Sequence, residues 1–139
     1  MTIPMEYRTA EEDFEAFLKG ARDVSALATR NRVYTMVQGV FQVFRRRLDM
    51  RDAIRFAGML PPLLRALFMD DWDVDEPRCS FESREAMTRE VQALRLDHNF
   101  APDSAIRDVA VALRRQVDEA ALDRLLATLP EGAQEFWRG

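Results

Sequence analysis

Apolar residues recur every three or four positions along most of the chain, which is the spacing of amphipathic helices. In the first such stretch Phe14, Phe17 and Leu18 share one face, and Thr9 with Glu12 matches a capping box. We predict a first helix from about residue 10 to 20. Because no stretch alternates apolar and polar residues as a half-buried strand would, the sequence predicts an all-α fold.

The second stretch is longer and ends in three consecutive arginines, at positions 45–47. Its apolar stripe consists of Val33, Val37, Val40, Phe41, Phe44 and Leu48. Asp49 follows and is suited to cap a third helix. Pro61 and Pro62 then end that helix and begin a short fourth one, at residues 63–68.

The same pattern returns after 69 residues without a gap, and such a period is the signature of internal repeats. Seven positions are identical between residues 37–68 and residues 106–137. They include Arg45 with Arg114, Asp49 with Asp118, and Leu60-Pro61 with Leu129-Pro130.

We therefore predict one domain, residues 1–139, made of two helical repeats. The repeats span about residues 10–72 and 80–138, with an acidic linker at 73–79 and about four helices per copy. Ser80 or Ser83 is expected to start the second copy. Because a unit of this size buries little apolar surface alone, the copies are expected to share a core.

The amino-acid composition limits which classes of function the protein can have. A hydrophobic content of 47% is enough for a core without disulfides or metal. The formal net charge of −4 and a pI of about 5.1 argue against binding to nucleic acid or to an anionic membrane. The single cysteine excludes an intramolecular disulfide, and no stretch resembles a signal peptide or a membrane span. We expect a soluble, cytoplasmic protein.

The linker region offers a candidate metal site. Four acids match the first, third, fifth and twelfth places of a calcium loop: Asp71, Asp73, Asp75 and Glu82. However, Glu76 stands at the sixth place, where the loop turns sharply and normally has glycine, and Pro77 follows it. We favour a solvated acidic linker and keep a calcium-responsive switch as the alternative.

The arginines at positions 45–47 offer a second candidate site, a basic ridge for phosphate or nucleic acid that would also include Arg51, Arg55 and, further upstream, Arg30 and Arg32. Successive helical residues point about 100° apart, so these three cannot all face one groove. We favour helix-end electrostatics and pairing with Asp49, Asp52 and Asp118.

Enzyme signatures are weak. His98 is the only histidine and stands at the predicted end of a helix, where solvation or the helix dipole accounts for it. The usual catalytic zinc set therefore cannot form within one chain, and a Cys79 nucleophile would depend on His98 alone. We expect no enzyme activity, no catalytic residues and no cofactor. Four large aromatic residues are interpreted as core or interface residues that cover each copy's core, with a ligand cleft between the copies as the alternative: Phe68, Trp72, Phe136 and Trp137.

Three segments also resemble a known family: RDAIRFAGMLPPLLRALFMDDW at 51–72, VQGVFQVFRRRL at 37–48 and LPEGAQEFW at 129–137. They are similar to the bacterial family called domain of unknown function 2267. The resemblance implies a small all-helical protein with no assigned activity, and therefore no catalytic residues to carry over. It also implies that the segment from Trp72 to Pro77 is a variable linker.

The leading functional hypothesis is a non-enzymatic interaction or scaffold module that presents apolar helix faces to a protein partner or to a second copy of itself. The alternatives are the calcium-responsive switch through the acidic linker and a small-ligand binder that uses the cleft between the repeats.

Overall fold

The computed structural model describes residues 2–94 and 101–139, and all regular secondary structure in these two ranges is helical. The helices are α1 (Met5–Arg8), α2 (Ala10–Ser25), α3 (Arg30–Arg45), α4 (Met50–Ala57), α5 (Pro62–Met69), α6 (Arg84–Ala93), α7 (Ala105–Arg114), α8 (Glu119–Leu126) and α9 (Ala133–Phe136). The predicted all-α fold is confirmed. No helix within these ranges is long and apolar enough to cross a membrane.

Side-chain caps begin three of the helices at predicted positions. The Asp49 carboxylate accepts a hydrogen bond from the Asp52 N–H at 2.8 Å, and the Asp118 carboxylate accepts one from the Ala121 N–H at 3.1 Å. Ser83, not Ser80, caps α6. These caps satisfy backbone donors that have no partner inside the helix. The first and last residues of α4 and α8 differ by 69 positions. The last residues of α3 and α7 also differ by 69 positions.

The predicted capping box at the start of α2 is wrong. The Thr9 side chain makes no cap hydrogen bond, because α1 runs almost directly into α2 and gives Thr9 a φ of −106° and a ψ of 14°. Its hydroxyl instead lies 3.0 Å from both the Met5 carbonyl and the Asp13 carboxylate. The sequence did not predict α1, and it predicted too early an end for α2, which continues to Ser25 and stops at Ala26 with a φ of 59°.

Helices from the two halves of the sequence cover each other. α2 packs most extensively on α7, and α3 packs most extensively on α6. One aromatic cluster lies in the middle and consists of Phe41, Phe44, Phe56, Phe68, Phe136 and Trp137. All six side chains are fully buried. Phe68, Phe136 and Trp137 therefore do not form separate lids, since they meet inside one continuous core.

The segment between α5 and α6 packs closely against Gly132, which precedes α9 in the second half of the sequence. Gly132 has a φ of +105°, a conformation that favours glycine, and a Cβ built there would lie 2.5 Å from the Cβ of Phe81. Phe81 also contacts Phe44 at a ring-centroid distance of 6.0 Å. The absence of a side chain at Gly132 lets Phe81 reach the core.

Candidate functional site

The end of α3 holds down the segment that follows α5, and the first of its three arginines does so through backbone oxygens. The Arg45 Nη1 atom donates to the Phe68 and Asp70 carbonyls at 2.9 and 2.8 Å, and Nη2 donates to the Asp71 carbonyl at 3.3 Å. The guanidinium also lies over the Trp72 ring, 5.8 Å from its centroid. Arg45 thus ties the end of α5 to the end of α3.

The next two arginines bind acids. Arg46 pairs with Glu76 at 3.0 Å and with Glu90 at 3.1 Å. The Arg47 side chain is 1% exposed and pairs with Glu90 at 2.5 Å and with Glu82 at 3.5 Å. These contacts connect α3, the 70–82 segment and α6 in a single network.

The expected partners of the arginines were therefore wrong. Asp49 lies 3.9 Å from Arg78 and Asp52 pairs with Arg55, whereas residues 45–47 use Glu76, Glu82, Glu90 and backbone carbonyls. The reason lies in the tertiary structure. The end of α3 points into the chain that returns from α5, so acids distant in the sequence reach it first. Guanidinium groups engaged in this way are not arranged as a ridge for phosphate.

The four acids of the calcium-loop pattern lie on the same segment. Asp71 has a φ of 51°, and the Asp73 carboxylate accepts a hydrogen bond from the Asp75 N–H at 3.0 Å. Glu82 is directed to Arg47. In the part of the chain that the structure describes, no three His, Cys, Asp or Glu side chains form a group that could hold a metal ion.

A cavity of about 300 Å³ opens where the end of α3, the start of α4 and the 72–78 segment meet. Its charged walls are Arg45, Arg46, Arg78, Asp49 and Glu76, and its apolar walls are Leu48, Met50, Trp72 and Val74. The arginine end of α3 and the acidic segment thus meet at this cavity, but the four calcium-loop acids are not among the residues that line it. The cavity is small for a ligand pocket but within the usual range.

Arg45 is the most deeply buried of the three cations that line this cavity. The residue is 5% exposed, it makes no ion pair with the described residues, and its Nε atom is buried with no hydrogen-bond partner. Burial lowers the pKa of the Arg45 guanidinium, and nearby Glu76 acts in the opposite direction. Asp71 and Asp70 act in the same direction as Glu76, and three backbone carbonyls accept hydrogen bonds from Nη1 and Nη2, which offsets part of the cost of burying this charge.

The arginine 69 residues further along is compensated by two carboxylates. Arg114 donates through Nε to the Trp137 carbonyl at 2.8 Å, whereas Arg45 contacts the corresponding Phe68 carbonyl through Nη1, at 2.9 Å. Its Nη1 and Nη2 atoms then pair with Glu119 at 3.2 Å and with Asp123 at 2.9 Å, both on α8.

The positions of these two acids on α4 are apolar. Counting back 69 residues, Glu119 corresponds to Met50 and Asp123 corresponds to Ile54. Met50 is 47% exposed and Ile54 is 55% exposed. We call the surface formed by Met50, Arg51, Ile54 and Arg55 the α4 face. No sequence motif singled out Met50 and Ile54, although the 69-residue period aligns them with Glu119 and Asp123.

Three candidate residues of the sequence remain: Cys79, His98 and Trp72. Cys79 is exposed, and its backbone N–H donates to the Arg46 carbonyl at 3.0 Å. His98 lies outside the described residues, so the interpretation of His98 as a helix-end residue or as a partner of Cys79 stays a prediction. Trp72, interpreted as a lid, is half-buried and forms a wall of the cavity.

The structure is that of a small all-helical protein, with a network of arginines and acids at the end of α3. Residues 14–136 match the model of the family described as "Uncharacterized conserved protein (DUF2267)". The chain belongs to this family, which confirms the resemblance found in the sequence. No curated protein matches the chain.

Proposed function

We propose that the protein is a non-enzymatic interaction module of the cytoplasm, built from two copies of one helical unit, that docks a partner protein on its α4 face. The two units are residues of about 10–72 and 80–138, connected by the linker at 73–79. The sequence period, the recurring bounds of α4 and α8, and the paired contacts of Arg45 and Arg114 with the ends of α5 and α9 support this division. The exposed, unpaired Cys79 is suited to a reducing compartment.

The α4 face carries the proposal, because exposed apolar residues stand there where the second unit has acids. In the second unit the acids at the corresponding positions, Glu119 and Asp123, form ion pairs with Arg114 of the same unit. In the first unit Met50 and Ile54 leave apolar surface in water at helical spacing. Apolar surface of this kind is characteristic of interaction sites.

The charges around this surface indicate the chemistry of the partner. Arg51 and Arg55 are exposed on the same side of α4. Arg51 makes no ion pair with the described residues, whereas Arg55 pairs with Asp52 at 3.4 Å and donates to the Thr128 hydroxyl at 2.7 Å. A cationic rim around an apolar centre complements an amphipathic helix with apolar residues four positions apart and acids between them. We therefore assign the face to an acidic amphipathic helix of a different protein.

The test compares three immobilised proteins: the wild type, Ile54→Asp and Leu63→Asp. Ile54→Asp copies the residue that the second unit carries, and Leu63→Asp is a matched control at a partly exposed apolar position on α5. We expect one captured protein to be lost with Ile54→Asp and kept with Leu63→Asp. A synthetic peptide of its acidic amphipathic segment should bind the wild type, and more weakly as salt is raised.

Two outcomes would contradict the proposal. Capture that is equal for all three proteins means that the α4 face is not used. Light scattering that shows a dimer of the wild type and a monomer of Ile54→Asp means that the occupant is a second copy and not a distinct partner. Circular dichroism of both variants checks that each one keeps its helices.

A further inference from the structure

The cavity between the end of α3, the start of α4 and the segment after α5 is continuous with the α4 face, because Met50 belongs to both. Its other apolar walls are Leu48, Trp72 and Val74, of which Val74 is 57% exposed. Apolar surface therefore extends from Ile54 through Met50 to the segment after α5. A partner segment that docks on the α4 face meets the cavity where it passes the start of α4.

The segment after α5 alternates between cavity walls and exposed acids. Trp72, Val74 and Glu76 line the cavity, whereas Asp73 and Asp75 between them are exposed and make no ion pair with the described residues. The Asp73 carboxylate accepts a hydrogen bond from the Asp75 N–H, so no cation neutralises it. We call Asp73 and Asp75 the anionic end of the surface.

The opposite end, on α4, is cationic. Arg51 is exposed and makes no ion pair with the described residues, and Arg55 lies one turn further along the helix. We call Arg51 and Arg55 the cationic end. Because a reversed partner would place like charges together, two ends of opposite charge determine the orientation in which a partner docks.

The charged groups inside the cavity wall already have partners. Arg46 pairs with Glu76 at 3.0 Å, and Arg78 lies 3.9 Å from Asp49. Arg45 donates to three backbone carbonyls. What the interior of the cavity offers to a partner is therefore its apolar surface, and a volume of about 300 Å³ has room for one bulky side chain.

We propose that the docked segment of the partner carries opposite charges at its two ends and one apolar anchor between them. Acidic residues lie over the cationic end, the anchor fills the cavity beside Trp72, and basic residues lie over the anionic end. The inference rests on the proposed docking of a partner helix on the α4 face. It adds the place of the anchor and the order of the charges along the segment. A buried apolar anchor inside a ring of polar contacts is typical of strong interfaces.

The experiment uses synthetic helical peptides of about 18 residues, long enough to span about 27 Å, with leucine at every third or fourth position. Two bipolar peptides have glutamates in one half and lysines in the other, in either order, and a third peptide has glutamates throughout. The indole N–H signals of ¹⁵N-labelled protein are the readout, because Trp72 lines the cavity and Trp137 is fully buried.

We expect one bipolar peptide to shift the Trp72 signal in a saturable way and to leave the Trp137 signal unchanged. The all-glutamate peptide should bind at least about fivefold more weakly, because its second half meets the anionic end. Replacing the leucines of the bipolar peptide by alanine one at a time should identify one leucine whose loss removes most of the Trp72 shift.

Asp75→Lys is the decisive variant, because it reverses one charge of the anionic end at an exposed position. It should weaken the bipolar peptide by about threefold or more and strengthen the all-glutamate peptide. Asp23→Lys is the matched control, since Asp23 is an exposed aspartate near the end of α2, which leads to the start of α3 rather than to its cavity end. It should change neither affinity by more than about 1.5-fold.

Three results would overturn the inference: no Trp72 shift with either bipolar peptide, equal affinity for the all-glutamate peptide, or equal effects of Asp75→Lys and Asp23→Lys. If the all-glutamate peptide binds as well as the bipolar ones and Ile54→Asp abolishes its binding, the docking on the α4 face stands and the order of charges is wrong. If a bipolar peptide binds Ile54→Asp as it binds the wild type, the docking on the α4 face itself is contradicted.

Discussion

Arg47 and Glu90 meet across the interface of α3 and α6, with Nη2 only 2.5 Å from Oε2, although 43 residues separate them in the sequence. The Arg47 side chain is 1% exposed, and the same guanidinium also donates to the Val43 and Ser80 carbonyls. The pair joins the long helix of the first half to the first helix of the second half.

Removing the charge of Glu90 should therefore destabilise the protein. We expect Glu90→Gln to lower the free energy of unfolding by about 2 kcal/mol, because it leaves a buried guanidinium with weaker acceptors. Urea denaturation followed by circular dichroism measures this. Glu119→Gln is the control, since the Glu119 side chain is 59% exposed and its pair with Arg114 should contribute less than about 1 kcal/mol. Equal losses in the two variants would contradict the role of the Arg47 pair.

Two glycine positions should respond in opposite directions to alanine. Gly132→Ala introduces a Cβ at a φ of +105° and within 2.5 Å of Phe81, so we expect a loss of more than about 2 kcal/mol. Gly20→Ala adds a methyl group inside α2 where no atom lies within 4 Å, and should increase stability by about 0.5–1 kcal/mol. Thermal unfolding of both variants checks the pair, and a stable Gly132→Ala would mean that Phe81 does not pack as described.

The two aspartate caps should contribute equally. Asp49→Ala and Asp118→Ala each remove a carboxylate that accepts from the third residue of its helix, and each should cost about 1 kcal/mol of unfolding free energy. Thr9→Ala should cost less than about 0.5 kcal/mol, because the Thr9 hydroxyl caps no backbone N–H of α2. A cost for Thr9→Ala as large as for the aspartates would restore the capping box that the structure excludes.

Asp108 should make stability depend on pH in the direction opposite to most carboxylates. Asp108 is 2% exposed, and burial raises the pKa of its carboxyl above the ordinary value of 3.8, although the Ser104 hydroxyl and Arg107 act against this. A folded-state pKa above the unfolded one means that its contribution to stability is fully present below the ordinary value and is lost as pH rises through the folded pKa. Asp108→Asn should remove this component from a stability profile measured between pH 3 and 7. An unchanged profile would show that the carboxyl is not destabilised by burial.

The sequence predicted local features well and tertiary partners poorly. Asp49, Ser83 and Asp118 act as caps because a cap needs only the three residues that follow it. Thr9 fails because its backbone conformation depends on α1, whose four residues carry no apolar periodicity. The family and the helical class followed from apolar spacing and from the repeated Leu-Pro segments.

The candidate site forms only where the chain after α5 folds back against the end of α3, and no local sequence pattern predicts this contact. Glu90 reaches Arg46 and Arg47 only after α6 has packed on α3. The cavity exists only because Trp72 and Val74 are brought against the start of α4. The calcium-loop spacing of the acids is real in the sequence, but Glu82 turns to an arginine that the spacing does not include.

The packing of α2 on α7 also determines when the protein can fold during its synthesis. These helices lie about 80 residues apart along the chain, yet each covers the apolar face of the other. A ribosome that has released α2 through α5 has therefore produced helices whose buried face still lacks its cover. Folding to the native core must wait for α7, α8 and the aromatic pair Phe136 and Trp137, so the first half of a nascent chain is the stage at which aggregation or chaperone binding would be strongest.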